Sequence, residues 1–117
     1  MDRVGEAALL RIFIGDDDTF ENRPLADAIV LKARAMELAG ATVLRGTSGF
    51  GPASRELEIV LRLSEDLPVV IEIVDSAEKI NRFVPIVEAM MDAGMMTLQP
   101  VRVLRYGAPR RPKPEPR

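Results

Sequence analysis

A chain of 117 residues, 47% hydrophobic and 29% charged, is one domain's worth of ordinary globular sequence, long enough to bury a single core without staples. It has no Cys and no His, which excludes disulfides, thiol nucleophiles, and the commonest general base and transition-metal ligand. The net charge of −2 is uneven: in residues 108–117 four cations face one anion, a net of +3, so the remainder stands at −5, and an acidic body argues against nucleic acid as a partner. Trp is absent, and the four Phe and one Tyr are few for base-stacking platforms. No apolar run approaches the ~20 residues needed to cross a bilayer. Residues 1–10 lack the apolar stretch of a signal peptide, so a cytoplasmic location is the default expectation.

Residues 1–7 are expected to form a disordered leader. Ala8–Ile14 (ALLRIFI) is a compact apolar run, read as a buried first strand, and Gly15–Asp18 is a turn signal. Pro24–Ala39 is predicted to be a helix. Asn22 or a neighbour is the candidate cap, and Pro24 sits where a missing N–H costs nothing. Leu25, Ala28, Ile29, Lys32, Ala33, Met36 and Ala39 fall near one face at helical spacing, and Gly40 is the expected stop.

Thr42–Phe50 and Leu57–Val74 are the predicted arms of a long hairpin, with the polar segment 52–56 as its expected mobile, functional tip. Leu57, Ile59, Leu61 and Leu63 alternate with Glu58, Val60 and Arg62 in a half-buried pattern. Val69–Val74 fits a central strand, and Ser64–Pro68 is expected to kink or bulge the arm. Asp75 or Ser76 is predicted to cap a second helix, with Asp75 and Glu78 at capping-box spacing. Its apolar stripe is Ile80, Phe83, Val84, Val87 and Met91, its stop Gly94, and Pro85 predicts a kink. Thr97–Tyr106 reads as the final strand. Residues 108–117, with four prolines, are expected to be a disordered or polyproline-like tail.

The order β-α-β-β-α-β is an α+β pattern, the ferredoxin-like arrangement of an antiparallel sheet with two helices on one face, here within residues 8–107. Leu10, Ile12, Ile71 and Ile73 alternate with partners that are mostly apolar too. Both sheet faces therefore need cover, and oligomerisation is the economical way to supply it.

At Arg45–Gly51 (RGTSGFG) and Leu67–Val74 (LPVVIEIV) the chain resembles the PII-like superfamily, in which a glycine-rich strand end precedes the T-loop and a strand of this kind follows it. From LLRIFIG through AGATVLRGTSGFG and LRLSEDLPVVIEIVD to VRVLRYG the pattern resembles domain-of-unknown-function family 190. The resemblance implies a ferredoxin-like homotrimer that binds a small effector, an adenine nucleotide in the first instance, in clefts between subunits. It implies a loop, here 52–56, whose conformation follows occupancy and which docks on an enzyme or a membrane transporter such as a fluoride exporter. By position, Arg45, Gly46, Gly49, Phe50 and Gly51 lie at the base of that loop. Arg102 and Arg105 lie on the last strand, where PII proteins place phosphate-contacting arginines. Two features depart from the nucleotide-binding pattern. The interval DAGMMTLQP replaces a glycine-rich, lysine-containing loop, and the arginines are spaced R-x-x-R, which on a strand points them to opposite faces. Tyr is also missing between Pro52 and Asp66, so no tyrosine modification site is present there.

Each candidate has a plainer alternative. Arg45 with Gly46, Gly49 and Gly51 suits an anion site of backbone N–H groups and a guanidinium fork, or else a twisted hairpin that needs glycine for its geometry. Arg102 and Arg105 complete that site across a subunit boundary, or else lie on a solvated strand face. Asp16, Asp17 and Asp18 lack the ligand spacing of a Ca²⁺ loop and read as a turn. Glu56, Glu58, Glu65 and Asp66 read as solvated loop charges rather than acid–base pairs, and Met90, Met91, Met95 and Met96 as filler at a helix end. The basic tail reads as a solvated extension. Without a nucleophile–base constellation the expectation is a regulatory protein, not an enzyme, with no metal. The rival readings are a metal- or anion-binding trimer of the CutA kind and a purely structural trimer.

Overall fold

The structure, a computed structural model, describes residues 4–51 and 67–107. The 52–56 tip, the part of the second hairpin arm before Leu67, and the tail 108–117 lie outside the described residues. Among the described residues, four strands form one antiparallel sheet in the order β4-β5-β1-β6: β1 (Gly5–Gly15), β4 (Thr42–Arg45), β5 (Pro68–Asp75) and β6 (Met95–Val103). Helices α1 (Leu25–Ala35) and α2 (Ala77–Met90) connect β1 to β4 and β5 to β6. This is the ferredoxin-like α+β fold that the element order implies.

The two central strands carry the core. Leu10, Ile12 and Ile14 of β1 and Val69, Ile71 and Ile73 of β5 alternate inward, beneath Leu25 and Ile29 of α1 and Ile80, Phe83 and Val87 of α2. Burying such a side chain stabilises by about 1.5–3 kcal/mol, so this layer outweighs the local preferences of the short edge strand β4. The other face of the same strands carries Leu9, Arg11 and Phe13 beside Val70, Glu72 and Val74, all half-buried in the single chain.

Several boundaries differ from the sequence expectation. β1 begins at Gly5, so residues 5–7 of the expected leader are strand; they pair with Val103, Arg102 and Val101, because the long β6 offers their backbone groups partners. A short ribbon, β2 (Thr19–Phe20) with β3 (Arg23–Pro24), precedes α1. Its turn residues Glu21 (φ 49°) and Asn22 (φ 66°) both adopt the left-handed conformation, as a two-residue hairpin requires. Asn22 is thus in the ribbon and not a cap. The first helical N–H, of Leu25, donates instead to the Asp18 carbonyl at 2.8 Å.

α1 stops at Ala35, and Gly40 is not its stop. The Leu38 N–H donates to the Ala33 carbonyl and the Glu37 N–H to the Arg34 carbonyl, both at 3.0 Å, with Glu37 at φ 60°. That is a Schellman closure with glutamate in the usual glycine position; it swings Leu38 back into the core. β4 ends at Arg45, so residues 46–50 are not strand. β6 starts two residues earlier than expected and releases the chain after Val103. α2 runs as one helix through Pro85, and Met90 rather than Met91 takes the buried position. Its cap is Ser76, whose Oγ accepts the Lys79 N–H at 3.3 Å, so the Asp75–Glu78 capping box does not form.

Candidate functional site

The early end of α1 leaves the small residues Ala39, Gly40 and Ala41 to carry the chain into β4. This connection is held at three points. Asp75, at the end of β5 and only 2% exposed, accepts the Ala39 N–H at 2.9 Å and the Ser76 N–H at 2.7 Å. Lys79 Nζ donates to the Glu37 carbonyl at 2.8 Å, and the Tyr106 hydroxyl lies 3.5 Å from the Ala39 carbonyl. Because β6 ends at Val103, the following residues cross the end of the sheet and lay Arg105 and Tyr106 beside Ala39–Thr42.

Between them opens a cleft of about 470 Å³, floored by Glu72, Val74 and Asp75. Its size suits a small molecule. Glu72 is committed to Arg11, whose Nε lies 2.8 Å from Oε2, and Arg11 Nη1 reaches the Gln99 amide oxygen at 3.4 Å. The Asp75 carboxylate is held by two backbone amides. Arg105 is exposed and makes no ion pair among the described residues. The cleft therefore presents one guanidinium, a phenol, and backbone that small residues leave open to close approach.

The second cluster lies at the other end of β4. Arg45, paired in register with Val69, makes an ion pair with Asp16 in the turn after β1. The Gly46 N–H donates to the Pro68 carbonyl at 2.8 Å, and a Cβ on Gly46 would lie 2.8 Å from Pro68 Cγ. Gly49 has φ 122° and also faces Pro68. Phe50 is 76% exposed, and Gly51 adjoins the segment that lies outside the described residues. In the same turn as Asp16, Asp18 Oδ2 accepts the Gly15 N–H at 3.0 Å, and no group of three metal-ligating residues occurs among the described residues.

Within one chain these candidates do not meet. Thr42 lines the cleft and Arg45 lies three residues further along β4, roughly 10 Å at strand rise. Arg102 lies on the edge strand β6, opposite Glu6 and away from the cleft. Arg105 lies beyond the strand end, where alternation no longer governs its direction. Ala39–Thr42, Glu72, Asp75 and Tyr106 are the cleft residues that sequence reasoning did not single out. The signals were the small-residue run after the helix and a tyrosine adjoining Arg105; Asp75 was hidden by its resemblance to a helix cap.

The model of the DUF190 family, described as "Uncharacterized ACR", matches residues 7–103. A UPF0166 protein of Aquifex aeolicus is 37% identical over 103 residues, covering 87% of this chain and 97% of that protein. A UPF0166 protein of Methanocaldococcus jannaschii is 32% identical over 101 residues, covering 86% and 94%. Among solved structures, that of a "putative PII-like signaling protein" from Thermus thermophilus superposes with a TM-score of 0.61, covering 89% of this chain and 94% of that one at 18% identity. The family-wide match, the two full-length relatives and the shared fold lead to one conclusion: the chain belongs to domain-of-unknown-function family 190 and has the PII-like fold.

Proposed function

We propose that the protein is a non-enzymatic PII-like regulator that binds a small anionic effector, with an adenine nucleotide as the first candidate, in the cleft around Arg105. The observation that carries this reading is that cleft. An exposed guanidinium without an ion pair among the described residues faces a backbone run pinned by Asp75, while the neighbouring carboxylates are already committed. A fixed backbone and a free guanidinium favour a planar, anionic ligand.

The cleft opens on the sheet face that carries Leu9, Phe13, Val70 and Val74. Covering that face with further copies, as a homotrimer, would wall the cleft with a second subunit and could bring its Arg45 cluster to bear on the same ligand. Segment 52–56, outside the described residues, is the sequence-level candidate for the surface shown to an enzyme or a membrane transporter. Occupancy would act by biasing one of two arrangements of that surface.

A thermal-shift series with adenine and guanine nucleotides tests this. Ligand at 100-fold above its Kd stabilises by about 2.7 kcal/mol, a rise of about 10 °C in Tm for a domain of this size. The rise is expected with one nucleotide class and should vanish in Arg105→Ala. A series without any shift would reject effector binding and leave a structural trimer.

A further inference from the structure

The sheet face away from the helices is ordered in rows that run across the strands. Leu44, Val70, Phe13 and Met95 are register partners, one from each of β4, β5, β1 and β6, and register partners point to the same side of a sheet. They form an apolar row over all four strands, with Leu44 and Met95 exposed and Val70 and Phe13 half-buried. The next row is polar: Thr42, Glu72, Arg11 and Thr97, again one from each strand. Beyond it Val74 and Leu9 are apolar again, with Gln99 at the β6 end. Among the described strand residues of this face, the charged ones are Arg11 and Glu72. Their charges cancel, so the face favours neither an acidic nor a basic partner, and an identical face can approach it without net repulsion. The pair is not saturated. Arg11 Nε donates to Glu72 Oε2 at 2.8 Å and Nη1 to the Gln99 amide oxygen at 3.4 Å. Glu72 Oε1, Arg11 Nη2 and the Gln99 amide nitrogen have no protein partner among the described residues. Water serves them on an open face, but any surface that covers the face must supply partners, because buried polar groups are costly unpaired. Spare donors and a spare acceptor on one face are what a second copy of the same face can satisfy.

We infer that copies of this chain dock through this face and that the Arg11–Glu72 pair fixes their register, the spare donors of Arg11 on one copy meeting the spare Glu72 oxygen of another. This rests on the self-association part of the reading above and adds the residues that choose the partner and its orientation. The row Leu44–Val70–Phe13–Met95 supplies affinity, yet an apolar row can slide along its counterpart at little cost. A polar pair cannot, since a step out of register leaves its groups covered and unpaired. The pair also reaches the cleft. Thr42 and Glu72 line it, so the register set at the pair decides which surface of the second copy walls the effector site.

The double exchange Arg11→Glu/Glu72→Arg tests this in the full chain. It keeps opposite charges paired within each chain and reverses only what one copy shows another. The variant is expected to fold and to reach the parent's assembled mass. Parent and variant, one of them isotope-labelled, are then unfolded, refolded together and weighed by native mass spectrometry. Assemblies containing both should fall at least about tenfold below the statistical proportion, since every contact between parent and variant sets like charges together. Mixed assemblies in statistical proportion would overturn the inference and leave self-association standing. The single variants Arg11→Glu and Glu72→Arg give a second arm, with thermal melts to confirm that each is folded. Each alone is expected to remain one chain, and an equimolar mixture to assemble into species that contain both. Single variants that assemble as the parent does, or that fail to combine when mixed, would also overturn it. A parent that stays a single chain would overturn the self-association reading together with the inference, while the nucleotide series on the cleft stands as a separate test.

Discussion

Gly94 and Gly46 are both held to glycine by their surroundings, for different reasons. A Cβ on Gly94 would lie 2.6 Å from the Phe13 carbonyl oxygen and 2.6 Å from Met91 Cε, at a backbone φ of 132°. The carbonyl belongs to a central strand and cannot retreat, so Gly94→Ala is expected to cost about 3 kcal/mol. Gly46→Ala meets the Pro68 ring at the sheet edge, without a left-handed φ, and should cost about 1–2 kcal/mol. Urea denaturation of the two variants checks the order; equal costs would mean that the β4 end is as rigid as the core. Asp75 is the third such position. Asp75→Ala would strip two backbone N–H groups of their acceptor and should cost about 2–4 kcal/mol, whereas Asp75→Asn keeps one acceptor and should cost roughly half. If alanine proved as mild as asparagine, the pin between the α1–β4 connection and the end of β5 would carry little energy.

At the scale of elements, both helices end through contacts other than those their sequences advertise. The glycine at position 40 and the Asp75–Glu78 pair are strong local signals, yet each is overruled by burial. Leu38 enters the core only if the chain turns at Glu37, and Asp75 is drawn under Ala39 because a buried carboxylate must find donors. Ser76 is left to cap α2. Ser76→Ala is therefore expected to lower stability by about 1 kcal/mol. Glu78→Ala should change it by less than about 0.5 kcal/mol, since Glu78 is exposed and its only ion pair among the described residues, with Arg82, spans 3.7 Å. Thermal melts of the two variants settle which residue caps the helix; a larger loss at Glu78 would restore the capping box.

At the scale of the molecule, the sheet has one face under helices and one open. The open face is apolar at Leu9, Phe13, Val70 and Val74, and the Arg11–Glu72 pair crosses its centre, 2.8 Å apart and about one-third exposed. An apolar surface of this kind is normally covered, and a homotrimer would cover it while completing the proposed cleft. Phe13→Glu places a charge on that face without touching the helix-side core. Sedimentation equilibrium is expected to give the mass of three chains for the parent and of one chain for the variant. A parent that sediments as one chain would remove the inter-subunit part of the proposed site.

The sequence by itself determined the class of fold and its family. Alternation in Leu10–Ile14 and Val69–Ile73 and the helical stripe at Ile80–Val87 are periodic features, legible without knowing what lies opposite. Arg105 was legible as a candidate, and so was the turn character of Asp16–Asp18. Only the tertiary structure decided where the elements stop and which candidates stand together. It separated Arg45 from Arg105, left Arg102 on the far edge, and assembled Ala39–Thr42, Asp75 and Tyr106 into a cleft. The physical reason is that a boundary or a cleft is set by partners distant in sequence. Asp75 meets Ala39 across 36 positions and Tyr106 meets Ala39 across 67, and such pairings leave no periodicity in the chain.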